Sequence, residues 1–113
     1  MPFALVIAAA ALAHLWCLGS QFFMDDMPGI RDNEAIRSGD IFRTVTQAWT
    51  YLGYHIQYKL FGMSPVAFHA VNWLLHTANA CVLFVLGREL LDGHRGRDGM
   101  ALFAALLFAV HPL

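Results

Sequence analysis

Two adjacent carboxylates, Asp25 and Asp26, follow directly after a long apolar stretch. Residues 1–24 contain no Asp, Glu, Lys or Arg, and a helix of that length would rise about 36 Å, enough to cross a hydrocarbon core of about 30 Å. We therefore expect the pair where the chain leaves a membrane. Acids there can simply mark the end of a span. A partly desolvated carboxylate can instead act as a general base, or hold a divalent cation such as Mg²⁺ or Mn²⁺.

A second polar set is predicted on one face of a later apolar helix. His69, Asn72, His76 and Asn79 recur at steps of three, four and three residues, a spacing that places them on one side of a helix. In lipid such a stripe should face protein or water. It therefore either lines a substrate cavity, through His69, Asn72 and His76, or forms hydrogen bonds between helices. The two histidines are about 10.5 Å apart along the axis and cannot share one metal ion.

The loop after the acid pair contributes basic residues that could bind a phosphate group. Arg31, Arg43 and Lys59 are the candidates, because guanidinium and ammonium groups make charge-assisted hydrogen bonds to phosphate oxygens. Pairing with the acids of the same loop, or simple solvation, is the alternative for each. The chain contains no P-loop, dinucleotide-binding glycine motif or serine nucleophile motif.

Composition places the chain among membrane proteins. Of its 113 residues 58% are hydrophobic and only 13% are charged, whereas about a quarter of the residues of a soluble domain are charged. The formal net charge of −1 gives no general attraction to nucleic acid, so no nucleic-acid partner is expected. The two cysteines, Cys17 and Cys81, lie in apolar stretches and are predicted to be inert thiols.

The hydrophobic pattern predicts an all-α integral membrane protein with about three transmembrane helices. The spans are expected at about 3–23, 64–91 and 99–113, although the third is marginal in length. Basic residues are densest around the loop 92–98, which favours a cytoplasmic position for it. The loop 24–63, with the acid pair, is then exoplasmic. Because the chain stops after the third span, we expect it to be the N-terminal part of a longer membrane protein.

The loop 24–63 should contain two helices. Asn33 can cap a short helix that Gly39 ends, after a sharp turn at residues 27–29. Asp40 can cap a second helix that runs to about Phe61. The apolar positions of that helix are Ile41, Val45, Trp49, Leu52, Ile56 and Leu60. We interpret it as an amphipathic helix on the membrane surface, and packing against the other helices is compatible with this.

Three stretches of the chain resemble one family. The segment FFMDDMPGIRDNEAI resembles the first exoplasmic loop of GT-C-type membrane glycosyltransferases, above all of members that carry tetratricopeptide repeats and are relatives of protein O-mannosyltransferases. The segments YKLFGMSPVAFHAVNWLLHTANACVLFVLGREL and ALFAALLFAVHPL resemble the second and third spans of the same group. The resemblance covers most of residues 20–113.

The resemblance implies a partial GT-C fold and a sugar transfer on the exoplasmic side. The donor would be a polyprenyl-phosphate-linked sugar, and the acceptor a hydroxyl of a protein or glycan. Asp26 would serve as the catalytic base with Asp25 in support, or the two would hold a metal ion. Thr50–Tyr51 stand where relatives often carry Arg-Pro, which removes one phosphate partner. We expect the bacterial inner membrane as the location, with the endoplasmic reticulum (ER) membrane as the alternative.

A non-enzymatic function is the competing hypothesis. A small multi-pass membrane protein that acts as a scaffold, or as an accessory subunit that binds a lipid carrier, would show the same apolar segments. It would need no catalytic base.

Overall fold

The computed structural model describes residues 1–41 and 48–111, and these residues form helices and turns without any strand. They divide into two compact units. The helix unit combines Met1–Cys17 with Ala70–Leu113, and the loop unit is Leu18–His69. The all-α prediction is therefore confirmed for the described part of the chain.

Helical segments of very different length make up the two units. In chain order the α-helices are α1 (Pro2–His14), α2 (Glu34–Ser38), α3 (Ala48–Phe61), α4 (Pro65–Leu90) and α5 (Arg97–Val110). A 3₁₀ turn, Leu15–Gly19, continues α1. The first apolar helix thus ends at Gly19 and not at residue 23 as expected. Gly19 ends it because glycine loses more backbone freedom in a helix than other residues do.

Two segments of the described residues are long and apolar enough to cross a membrane. They are Pro2–Gly19 and Pro65–Leu90, and the second agrees closely with the predicted span 64–91. Pro65 suits the first position of α4 because a helix leaves that N–H without an internal partner. The third expected span is shorter: α5 has 14 residues and rises about 21 Å, which falls short of a hydrocarbon core. The prediction of three spans is therefore not confirmed.

Small side chains form the core of the helix unit. Its buried residues are Val6, Ala10, Ala80, Phe84, Ala101, Ala105 and Ala109. A Cβ atom added to Gly87 would lie only 3.1 Å from the Cβ atom of Ala101, so α4 and α5 approach closely there. Small residues allow such an approach, and in lipid it is the resulting van der Waals packing that holds helices together.

Two histidines hold the end of α5. The carbonyl oxygen of Ala109 lies 3.1 Å from Nε2 of His14 and 3.3 Å from Nε2 of His76, and because a carbonyl only accepts, both imidazoles donate. The His14 and His76 rings meet edge to face at 5.2 Å. The last carbonyls of a helix lack intrahelical partners, and an unpaired one is costly in lipid. These two bonds therefore connect α1, α4 and α5.

Replacing Gly87 tests the close approach of α4 to α5. We expect Gly87→Leu to lower the free energy of unfolding by about 1–3 kcal/mol, because the contact between α4 and α5 leaves no space for the added side chain. Thermal unfolding in detergent, followed by circular dichroism, measures the change. Gly99→Leu is the matched control on α5, since nothing lies within 4 Å of a Cβ atom added there. Equal melting temperatures for the two variants would contradict the packing described.

Candidate active site

A strained turn precedes the acid pair. Met24 has φ +46°, and among the described residues it is the one non-glycine with positive φ. This region is unfavourable for residues with a side chain and is found more often at functional sites. The turn is closed by hydrogen bonds from the Asp26 N–H to the Phe23 carbonyl at 3.0 Å and from the Met27 N–H to the Met24 carbonyl at 3.1 Å. The backbone is thus fixed on both sides of Asp25.

A π-helical turn follows the acid pair. It spans Met27–Arg31, and the Asp32 N–H donates to the Met27 carbonyl at 2.8 Å. The sharp turn expected at residues 27–29 is therefore replaced by a wide helical one. Pro28 is tolerated at its start because the missing N–H would have no partner there. Such π turns are rare and occur frequently at functional sites.

The two acids differ in environment. Asp25 is exposed, whereas Asp26 is half-buried. The Phe23 N–H donates to Oδ2 of Asp26 at 3.4 Å, a long bond that orients the carboxylate only weakly. Asp26 is therefore the better placed of the two to act on a bound substrate, while its assignment as the base stays a prediction.

An aromatic cluster packs beside the acid pair. Its buried members are Phe22, Ile30, Ile36 and Phe68, and Met27, Tyr51, Tyr54, Tyr58 and Met63 pack against them. The Phe22 and Phe68 rings are 5.6 Å apart, and the Tyr54 and Phe68 rings are 5.8 Å apart. Edge-to-face and tilted contacts at such distances are favourable beyond the apolar area that they bury. Phe22 lies three residues before Asp25 and Met27 directly after Asp26, so the cluster holds the chain on both sides of the acid pair.

Helix α3 meets the aromatic cluster through its tyrosines and not through the expected apolar stripe. Trp49, Ile56 and Leu60 are exposed to 86%, 50% and 69%. An exposed apolar stripe is what a helix on a membrane surface would present, so that placement stays a prediction. The predicted start of this helix at Asp40 cannot be compared, because residues 42–47, with Val45 and Arg43, lie outside the described residues.

Tyr54 is a site residue that the sequence analysis missed. Burial, and then the neighbouring charge of Asp26, raise the pKa of the Tyr54 hydroxyl above its ordinary value, so the phenol stays protonated at neutral pH. Tyr54 packs against the same cluster as Met27, the residue directly after Asp26. The available signal was the spacing of Tyr51, Tyr54 and Tyr58, which places three amphipathic rings on one helical face.

The short helix α2 was predicted correctly at both ends. The Asn33 side chain accepts the Ala35 N–H at 3.0 Å, and Gly39 ends the helix in the left-handed region at φ +81°. Nδ1–H of His55, on α3, donates to the Ile36 carbonyl at 2.6 Å. A Cβ atom on Gly39 would lie 3.1 Å from the His55 ring. Glycine is thus needed there for conformation and for space.

The predicted polar stripe of α4 is divided between the two units. His69 belongs to the loop unit, with its ring 6.3 Å from that of Phe22. Nε2 of His69 is buried and has no hydrogen-bond partner within residues 1–41 and 48–111. Asn72 and His76 belong to the helix unit, where Asn72 is exposed and His76 is buried against Ala109. Only His69 is therefore brought beside the aromatic cluster.

The predicted phosphate-binding cations differ in their surroundings. The Arg31 guanidinium donates to both oxygens of Asp32, at 2.8 and 3.0 Å. This hydrogen bond raises the pKa of Arg31 and lowers the pKa of the Asp32 carboxyl below its ordinary value. Lys59 is exposed in the last turn of α3, and Arg43 lies outside the described residues. Of the two described cations, Arg31 already has an acidic partner.

The donor set for a metal ion is small. Within the described ranges, no group of three or more His, Cys, Asp and Glu side chains could hold a metal ion. Asp25 and Asp26 offer two carboxylates, and Mg²⁺ is commonly held by one or two carboxylates together with water and substrate phosphates. A Mg²⁺ or Mn²⁺ ion at the acid pair therefore stays a prediction, and Asp25 and Asp26 would be its protein ligands.

Comparison with known proteins finds relatives that all carry the name protein O-mannosyl-transferase. The chain is 32% identical to the mouse Protein O-mannosyl-transferase TMTC1 over 97% of its length, and 30% identical to the human TMTC1 over 97%. It is 28% identical to Protein O-mannosyl-transferase F38B6.6 of Caenorhabditis elegans over 96%. The chain spans only 13%, 14% and 18% of these three relatives.

No family model and no solved structure matches the chain. The resemblance drawn from the sequence motifs is nevertheless confirmed by the curated relatives. Over nearly its whole length, this chain is similar to proteins named protein O-mannosyl-transferase, TMTC1 among them, which is the group that its motifs indicated.

Proposed function

We propose that this chain is the part of a membrane protein O-mannosyltransferase that supplies the catalytic base, Asp26. The observation that carries the proposal is the position of that residue. Asp26 is half-buried at a strained turn, shortly after the first candidate span. The relatives that align with nearly the whole chain are protein O-mannosyl-transferases. An oriented, partly desolvated carboxylate is the group that such a reaction needs.

The proposed step is a single displacement with inversion. The acceptor hydroxyl oxygen of a protein forms a bond to the anomeric carbon of the sugar, and the bond from that carbon to the phosphate oxygen of a polyprenyl-phosphate donor breaks. The acceptor proton passes to the Asp26 carboxylate, and the bonding electron pair leaves with the lipid phosphate. Asp26 therefore acts as general base, which contributes about 10²–10⁴-fold to a rate. Asp25, which is exposed, adds a second negative charge beside the base.

The leaving phosphate and the sugar need partners of their own. Arg31, Lys59 and Arg43 are the proposed phosphate partners, because developing negative charge on the phosphate is stabilised by cations and hydrogen-bond donors. The buried, unpaired Nε2 of His69 is the proposed contact to the donor. His76 already donates to Ala109, which favours a role in helix packing over substrate binding.

The location proposed for the transfer is the luminal side of the ER membrane. The apolar helices and the homologues indicate a membrane protein. The relatives named above are animal proteins, so the expected bacterial inner membrane is not supported. The basic residues near the loop 92–98 favour a cytoplasmic position for that loop. This supports an exoplasmic acid pair, and in the ER that side is the lumen.

Removing the charge of Asp26 tests the assigned base. We expect Asp26→Asn in the complete gene product to lower sugar transfer by at least about 100-fold, because the amide cannot take the acceptor proton. Transfer from a radiolabelled polyprenyl-phosphate mannose to an acceptor protein, in membranes that contain the variant, measures the effect.

Glu34→Gln is the matched control for this experiment. Glu34 is an exposed acid in the same unit, at the first turn of α2, and its replacement should leave the rate unchanged. Both variants should insert into membranes at wild-type levels. A wild-type rate with Asp26→Asn would reject the base and favour the accessory-subunit hypothesis.

The unpaired nitrogen of His69 gives a second test. We expect His69→Phe to raise the KM for the polyprenyl-phosphate sugar by about fivefold, which corresponds to one lost hydrogen bond of about 1 kcal/mol. The same change should leave the melting temperature equal or higher, because it removes a buried polar atom that has no partner. Steady-state kinetics and thermal unfolding measure the two quantities.

Gln57→Leu is the control for His69→Phe. Oε1 of Gln57 is also buried without a hydrogen-bond partner among the described residues, but the residue has no assigned role in the site. Its replacement should leave the KM unchanged. An unchanged KM for His69→Phe would remove His69 from the substrate contacts.

A further inference from the structure

The Asp26 carboxylate can accept more hydrogen bonds than the described contacts provide. An ionised carboxylate offers about four lone-pair sites, and the protein donor described to it is the Phe23 N–H at 3.4 Å. A general base must be held in hydrogen-bond reach of the proton that it takes. A second donor from a rigid element would orient the carboxylate better than this long backbone contact does.

Helix α3 brings a suitable donor to the same place. Tyr54 packs against the aromatic cluster with its ring 5.8 Å from that of Phe68. The Phe68 ring in turn lies 5.6 Å from that of Phe22. Phe22, three residues before Asp25, belongs to the same cluster, and Met27, directly after Asp26, packs against it. Tyr54 and the turn that carries Asp26 are thus held by one set of contacts.

The state of the phenol suits a donor. Burial and the Asp26 charge both disfavour the phenolate and raise its pKa, so the hydroxyl keeps its hydrogen throughout the neutral range. A neutral O–H next to a carboxylate can donate to it without cancelling its charge. A lysine or arginine in the same place would lower the basicity that the reaction requires.

We propose that Tyr54 is the positioning residue for Asp26, because its hydroxyl donates a hydrogen bond that turns the carboxylate toward the acceptor hydroxyl. The inference rests on the proposed function of Asp26 as the base. Tyr54 and Met27, the residue directly after Asp26, pack against the same aromatic cluster, and we expect the hydrogen bond to form in the substrate complex. Catalytic hydrogen bonds are often long before substrate binds and tighten in the substrate complex.

Tyr54→Phe in the complete gene product tests this role, since phenylalanine keeps the ring in the aromatic cluster and removes only the hydroxyl. We expect kcat for sugar transfer to fall by about tenfold, the effect of losing one charge-assisted hydrogen bond of about 1.4 kcal/mol. The KM values and the melting temperature should stay at wild-type values. A purely structural role would instead lower the melting temperature and leave kcat unchanged.

Tyr58→Phe is the matched control. Tyr58 lies on the same helix, about one turn further along, and packs against the same aromatic cluster. The substitution removes the same hydroxyl from the same kind of environment. It should leave kcat, KM and the melting temperature unchanged. An equal loss of kcat in both variants would overturn the specific role of Tyr54.

A double-mutant cycle with Asp26→Glu tests whether Tyr54 acts through Asp26. The longer side chain keeps a carboxylate but displaces it from the hydroxyl, so adding Tyr54→Phe should cost clearly less than tenfold. Full additivity would overturn the inference. A failure of this positioning role can be distinguished from a failure of the proposed function. An impaired Asp26→Asn with a fully active Tyr54→Phe rejects only the positioning role, whereas a fully active Asp26→Asn rejects both.

Discussion

The cost of placing charge in hydrocarbon is the constraint on which the rest of this structure depends. Because an ionised side chain at the bilayer centre is unfavourable by several kcal/mol, the uncharged residues 1–24 are free to cross a membrane and the first carboxylates must lie outside it. After the first apolar helix the chain continues through a 3₁₀ turn, a short stretch without regular secondary structure and the strained Met24. The strained residue lies directly before Asp25 and Asp26.

The same constraint explains the polar groups of the helix unit. A carbonyl at the end of a helix has water as a partner in a soluble protein, but not in lipid. Ala109 finds His14 and His76 instead, and Nε1–H of Trp73 donates to the Ala10 carbonyl at 3.3 Å. His14, His76 and Trp73 thus have a structural explanation. The candidate chemistry is confined to the loop unit, where Asp26, Tyr54 and His69 surround or adjoin one aromatic cluster.

Local signals were enough to predict part of this arrangement. The caps of α2 at Asn33 and Gly39 follow from short-range hydrogen bonding and backbone conformation, and the structure confirms both. The span at residues 64–91 follows from length and hydropathy, which need no knowledge of the neighbours. The position of the acid pair after an apolar helix also follows from the order of residues alone.

Contacts between distant segments could not be predicted in the same way. An apolar stripe on a helix can face protein or lipid, and the sequence does not distinguish them, so the packed face of α3 was missed. That face carries Tyr54, which packs against the same cluster as Phe22 and Met27, although both lie far from it along the chain. The division of the polar stripe of α4 between the two units was missed for the same reason. His69 and His76 lie at helical spacing, but their neighbours come from different units.

The side of the membrane on which the acid pair lies is the central claim, and cysteine labelling tests it most directly. Cys17 and Cys81 are both free thiols, so each is first replaced by alanine. Single cysteines, Asp25→Cys and Arg95→Cys, are then treated with an impermeant maleimide in cells whose plasma membrane alone is permeable. We expect position 95 to react at once and position 25 only after detergent opens the ER. Labelling at 25 before detergent, with 95 protected, would contradict the account.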